Sequence, residues 1–133
     1  MMKAKEGYIS IWLGTTKKKI DEFNKYVEGL EESSPECQIL KDFRVGFIDL
    51  DKFGAYLSPQ NKELSIDDLG TEIGCNSKKT EKKIVDACKK MGIYTGNALY
   101  YYGDYEFIED VSGYRYNDLF FIGTFPDPRK KLR

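Results

Sequence analysis

The sequence predicts an α+β fold: a mostly antiparallel sheet of about four strands, with helices mainly on one face. Three observations carry this. Residues 8–14, YISIWLG, alternate, with Ile9, Ile11 and Leu13 on one side and Tyr8, Ser10 and Trp12 on the other, the period of a half-buried strand. Residues 16–31 and 78–91 space their apolar side chains three and four apart, the period of a helix face. The closing runs 97–102 and 119–125 are strand-like and near enough in sequence to pair antiparallel. At 133 residues the chain fits one domain, 1–133, with a core at about 8–126 and a basic tail, 127–133, expected to be mobile.

Gly14-Thr15-Thr16 breaks the opening strand and offers hydroxyls to cap a helix, whose inward face is Ile20, Phe23, Val27 and Leu30. Ser34-Pro35-Glu36 starts a second helix: Ser34 caps, Pro35 suits the first position, and Glu36 suits the positive end of the dipole. It carries Cys37, Ile39, Leu40 and Phe43 inward and ends near 44–46. Residues 47–57, FIDLDKFGAYL, read as a short strand at 47–50 followed by a turn and a helical turn. Ser65 caps a short apolar turn at 66–69. Ser77 caps the helix at 78–91, with Ile84, Val85, Cys88 and Met91 as its inward stripe and Gly92 as its stop. NALYYY at 97–102 reads as a strand broken at Gly103-Asp104, with 105–108 continuing extended. LFFIGTF at 119–125 is apolar on both faces, which places it inside the sheet; Gly123 suggests a bulge, and Pro126 and Pro128 end the strand.

Composition narrows the chemistry. Histidine is absent, which removes the usual general base and the commonest metal ligand. The three cysteines, Cys37, Cys75 and Cys88, lack CxxC spacing and read as thiols of an intracellular protein. Phosphate-binding glycine loops, zinc spacings and a nucleophile elbow are all missing. Asp49-x-Asp51-x-x-Gly54 imitates a calcium loop, yet Phe53 stands where an oxygen ligand belongs and Gln60 stands at the closing position. No run approaches the ~18 apolar residues of a membrane span, and the start lacks a signal-peptide pattern. The expectation is a cytoplasmic protein that is not an enzyme and takes no metal or cofactor.

The net charge of −1 hides segregation. Residues 46–76 are acidic, 77–91 are rich in lysine, and 97–118 are acidic again beside Tyr100, Tyr101, Tyr102, Tyr105, Tyr114 and Tyr116. Consecutive tyrosines on a strand alternate faces, so at least one of Tyr100–Tyr102 should point away from the helices. Carboxylates beside the aromatic rings repel phosphate, which argues against nucleic acid as a partner. Acidic and aromatic together suit a basic protein, such as a nuclease with a cationic cleft. The candidate contacts are Asp49, Asp51, Asp67, Asp68 and Glu72 in the middle segment, and Tyr102, Asp104, Tyr105 and Glu106 near the closing strands. The alternative is a small metal- or ligand-binding domain in which Asp49 and Asp51 converge in a pocket.

Four motifs add a family. Trp12-Leu13-Gly14 ends the first strand, Leu40-Lys41-Asp42-Phe43 closes a helix, Asp49-Leu50-Asp51 follows, and Asn97-Ala98-Leu99 opens a later strand before LFFIGTF. This order resembles immunity protein family 22 of bacterial polymorphic toxin systems over most of residues 8–125. Leu40 stands where that family often has an aromatic, and Ile48 and Leu50 depart from the histidine and aromatics common around its D-x-D segment. The resemblance implies an antitoxin that binds and blocks a cognate toxin, and it supplies no catalytic residue.

Overall fold

The computed structural model describes residues 1–129; residues 130–133, most of the basic tail, lie outside them. Strand β1 (Met2–Gly14) leads to helix α1 (Ile20–Asn24), a 3-10 turn (Lys25–Val27) and helix α2 (Gln38–Phe43). Strand β2 (Phe53–Leu57), a short β3 (Leu64–Ser65), and helices α3 (Ile66–Thr71) and α4 (Lys78–Lys90) follow. Strands β4 (Thr95–Gly96), β5 (Ala98–Phe107), β6 (Arg115–Tyr116) and β7 (Leu119–Pro126) close the chain. The main sheet has five strands in the order β2-β5-β1-β7-β6, and β3 and β4 form a second, two-stranded sheet. Every pairing is antiparallel, so the fold class holds while the count of about four strands is too low.

Helices cover both faces of the sheet, not mainly one. Trp12, Tyr100, Tyr102, Phe107 and Tyr116 face a layer built by α1, the 3-10 turn and α2, with Phe23, Tyr26, Leu30, Ile39 and Phe43. Ile9, Ile11, Leu13 and Leu99 face α3 and α4, with Ile66, Leu69, Ile73, Ile84 and Val85. The reason was present in YISIWLG: both sides of that strand carry large apolar groups, and such a strand is stable only when both are covered. Tyr101 is therefore not left bare; it packs against the α3–α4 layer, opposite in direction to Tyr100 and Tyr102.

β1 begins at Met2, well before the alternating run, and its first residues pair with Phe107, Glu106 and Tyr105. A bulge separates that pairing from the run Ile9–Gly14. Gly103-Asp104 lies opposite, inside β5 and not at its end, with Asp104 at φ 64 and Gly7 at φ 81. The Gly7 amide donates to Asp104 Oδ1 at 2.9 Å, replacing the ladder bond that the bulge removes. This is why a turn-like dipeptide does not break the strand.

Local chemistry predicted the ends of the later helices well. The Ser65 hydroxyl accepts from the Asp68 amide at 3.2 Å, and the Ser77 hydroxyl from the Thr80 amide at 3.2 Å. Arg44, at φ 56, terminates α2. Met91 is a correction: it lies past the last turn of α4 and is exposed. The first helix is also much shorter than 16–31. Thr16 does not cap it, because its amide takes Asn97 Oδ1 and its hydroxyl donates to Asp118, holding the chain against the sheet. Gly29, at φ 88, then turns the backbone away, and Ile20 is left exposed.

The strand expected at 47–50 lies instead at Phe53–Leu57. Ile48 is buried as an anchor, the Asp49 amide donates to the Tyr102 hydroxyl, and the Lys52 amide donates to the Asp49 carbonyl. Those bonds make 49–52 a turn, and pairing with β5 begins only after it.

Candidate functional site

β2 is the outer strand on one side of the sheet and pairs only with β5. Two bonds set the direction of its backbone groups: the Gly103 amide donates to the Lys52 carbonyl, and the Ser58 amide donates to the Asn97 carbonyl. In antiparallel register this turns the N–H and C=O of Gly54 and Tyr56 toward β5, and those of Phe53, Ala55 and Leu57 outward. No residue of β2 is fully buried. Gly54 has a packing reason, since the Tyr101 ring lies across it and a Cβ there would sit 2.1 Å from Tyr101 Cζ.

Carboxylates stand on both sides of this strand. In the loop before it, Phe47 and Leu50 are exposed at 60% and 46%, flanking Asp49. Asp49 Oδ1 accepts from the Asp51 amide at 3.0 Å, and Asp51 is itself exposed. On the other face, α3 divides its acids. Asp67 turns to α4 and meets Lys89 at 3.2 Å. Asp68 and Glu72, one helical turn apart, share a side of the helix. Glu72 lies near Tyr56 of β2, whose phenol is raised above its ordinary value by desolvation and then by the Glu72 charge. Among the described residues Asp49, Asp51, Asp68 and Glu72 take part in no ion pair.

The candidates near the closing strands have other tasks. Tyr102 is 2% exposed, a correction to its reading as a surface contact. Its ring stacks on Tyr105 at 4.3 Å, its hydroxyl accepts from the Asp49 amide, and burial pushes its phenol up to about 12. Asp104 accepts from Gly7, Lys52 and Arg129, and these partners, Lys52 first, hold its carboxyl below the usual range. Glu106 meets Lys5 at 3.4 Å, and Tyr105 is half-buried. The structure thus places Asp49 and Asp51 just before β2 and Glu72 near its Tyr56, with Asp68 one turn from Glu72 on α3, and leaves Tyr102, Asp104 and Glu106 in structural bonds.

The lysines of α4 lie on the other side, whereas Lys17 and Lys19, both exposed, line a cleft with Leu57 at the C-terminal end of β2. Helix α4 packs over β7, which β5 and β1 separate from β2. Lys78, Lys79, Lys82, Lys83 and Lys90 are exposed along it.

Asp49 and Asp51 do not converge on a pocket. A cleft of about 130 Å³ between α2 and the 107–116 region is lined by Asp42, Arg44, Tyr114 and Tyr116. Another of about 400 Å³ is lined by Met91, Ile93, Phe120 and Ile122. Neither contains those two carboxylates, and among the described residues no group of three or more Cys, Asp or Glu is placed to hold a metal ion. All three cysteines are free, with Cys37 and Cys88 buried; burial pushes the Cys88 thiol up to about 12.

The sequence model of a family described as Immunity protein 22 matches residues 9–126. The chain belongs to that family. The matched span runs from within β1 to the end of β7 and includes both helical layers and the acidic margin of β2. Membership makes this a non-catalytic immunity protein of a toxin–antitoxin system, with a toxin as its partner. No curated protein and no solved structure matches the chain. Among the described residues no helix is long and apolar enough to cross a membrane.

Sequence reasoning missed Phe53, Ala55 and Leu57, the residues that present the edge of the sheet. Their signal was a five-residue uncharged run directly after the turn-forming Asp49-Leu50-Asp51-Lys52.

Proposed function

We propose that this immunity protein acts in the cytoplasm by binding its cognate toxin and covering the toxin's cationic active or substrate site with the acidic margin of β2. The observation that carries the reading is a set of acids beside β2: Asp49 and Asp51 stand just before its first residue and Glu72 lies near Tyr56, none of them in an ion pair among the described residues, at the part of the strand away from Lys17 and Lys19, while the lysines of α4 lie over β7. Such a margin steers a positively charged partner into contact and repels phosphate. A nuclease is the toxin class that fits, because its substrate cleft must itself be cationic, and nucleic acid is not a partner of the immunity protein.

Co-expression with the toxin domain encoded next to it tests the reading. Rescue of growth and recovery of the complex by pull-down are expected; a neighbour that is neither bound nor neutralised would remove it. Within a complex, changing Asp68 and Glu72 to lysine is expected to slow association about tenfold and flatten its salt dependence. Stopped-flow mixing across ionic strengths measures both, and an unchanged rate and slope would take α3 out of the interface.

A further inference from the structure

Sheet edges are normally blunted, because a row of unpaired N–H and C=O groups templates pairing with another chain. The two sides of this sheet differ in that respect. On the far side β6 is only two residues long and carries Arg115. Beyond it, β7 has a register shift between its Gly123 and Phe121 pairings with β1, leaving Ile122 as the extra residue, and it ends in Pro126. β2 has none of these devices. It contains no charge and no proline, and its register with β5 is unbroken from Phe53↔Tyr102 to Leu57↔Ala98. The outward backbone groups of Phe53, Ala55 and Leu57 make no hydrogen bond among the described residues. Lys52, the residue before the strand, is turned away into Asp104.

We infer that β2 is the docking strand: the toxin adds an extended, cationic segment to its outer edge and so extends the five-stranded sheet. The inference rests on the immunity reading and deepens it. Three outward residues give a run of backbone bonds that fix the register of an incoming strand. The acids decide what kind of strand it is. Asp49 and Asp51 stand at the N-terminal end of β2 and Glu72 lies near Tyr56, so carboxylates meet the first part and the middle of an added strand, while Lys17 and Lys19 line a cleft with Leu57 at its other end. Lysine or arginine in those two parts meets the carboxylates. Phe47 and Leu50, exposed in the adjoining loop, supply apolar contact at the same end.

The test is amide exchange by NMR on the wild-type protein, free and bound to a catalytically inactive form of the neighbouring toxin. Calorimetry on variants accompanies it. The amides of Phe53, Ala55 and Leu57 are expected to exchange fast in the free protein and to be protected in the complex. Ala55→Pro removes an outward N–H while keeping the bonds to β5, a kind of strand position where proline is tolerated. It is expected to weaken toxin binding by about tenfold or more. Lys82→Glu with Lys83→Glu, on α4, is expected to leave affinity within about twofold. A complex in which the three amides stay fast overturns the docking strand while the immunity reading stands. Protection that grows with concentration in the free protein replaces the toxin with a second copy and overturns the assignment. Absence of any wild-type complex overturns the immunity reading itself.

Discussion

The two faces of the sheet solve the same packing problem with different materials. The α3–α4 face is aliphatic, built from Ile9, Ile11, Leu13, Leu69, Ile84 and Val85 under capped helices. The α1–α2 face is aromatic and lies under a five-residue helix, a 3-10 turn and a six-residue helix. Trp12 stacks on Phe43 at 4.5 Å and is boxed by Phe107, Tyr116 and Phe121, while Tyr100 is stacked against Phe23, Tyr26 and Phe53. Rings span the gaps that an irregular cover leaves, but their polar tips then need partners. Tyr26 and Tyr114 donate to Asp42 at 2.7 and 3.0 Å, Tyr116 donates to Glu109 at 3.1 Å, and Asn117 donates to the Tyr100 hydroxyl at 2.8 Å. Trp12 Nε1 is the buried side-chain polar atom left without a partner among the described residues. The lesson is that a face covered by regular helices is held by area, and a face covered by loops is held by interlocked rings and a few hydrogen bonds.

Single truncations separate the two modes. Trp12→Ala is expected to cost about 4 kcal/mol, because the ring is shared by four aromatic neighbours and irregular chain collapses poorly into the space. Leu69→Ala on the other face is expected to cost about 3 kcal/mol. Urea unfolding of both measures the difference, and a larger loss for Leu69 would reverse the ranking.

Asp42 is the test of the hydrogen-bonded side. Burial, and then the bond to Asp42, hold the Tyr26 phenol far above its ordinary value. Asp42→Ala strands that hydroxyl and is expected to cost about 2 kcal/mol, whereas Tyr114→Phe, at an exposed ring, is expected to cost under about 0.5 kcal/mol. Equal losses in chemical denaturation would show that the buried bond to Tyr26 is not the one that matters.

The smallest expected effect is a pH slope on the aliphatic side. Asp127 is buried after the end of β7 and accepts from the Asn76 amide at 2.9 Å, tying the sheet to the start of α4. Desolvation raises its carboxyl above 3.8. The folded protein therefore holds that proton more tightly than the unfolded chain. Stability from this group is present below the unfolded value and is lost as pH rises through the folded one. Asp104 has the opposite sign, since its lowered carboxyl contributes above the unfolded value and loses that contribution as pH falls. Denaturation of wild type and Asp127→Asn across acidic pH isolates the first effect; identical slopes would mean that Asp127 is solvated.

The legibility of the chain follows the same division. α4 was readable because Ser77, the stripe at helical spacing and Gly92 each act on residues within a turn of themselves. α1 was not, because Thr16 had a choice between capping a helix and bonding to Asn97 and Asp118, and both partners are far off in sequence. Of the candidate contacts, Asp68 and Glu72 share a helix side that spacing alone specifies. Tyr102 looked like a surface residue among acids because the amide that meets its hydroxyl comes from another segment, and because simple alternation puts Tyr105, the ring it stacks on, on the opposite face of the strand.

The sequence by itself determined the strand and helix periods, the serine caps, the absence of histidine and the blocks of charge, all of which depend on residue identity and neighbours a few positions away. Tertiary structure decided that helices cover both faces, that Gly103-Asp104 lies inside β5 opposite the bulge of β1, and that pairing starts at Phe53. It also decided that Glu72, from α3, lies near Tyr56 on the outer strand that Asp49 and Asp51 precede. Those outcomes depend on which distant backbone groups satisfy one another, and no local pattern contains that information.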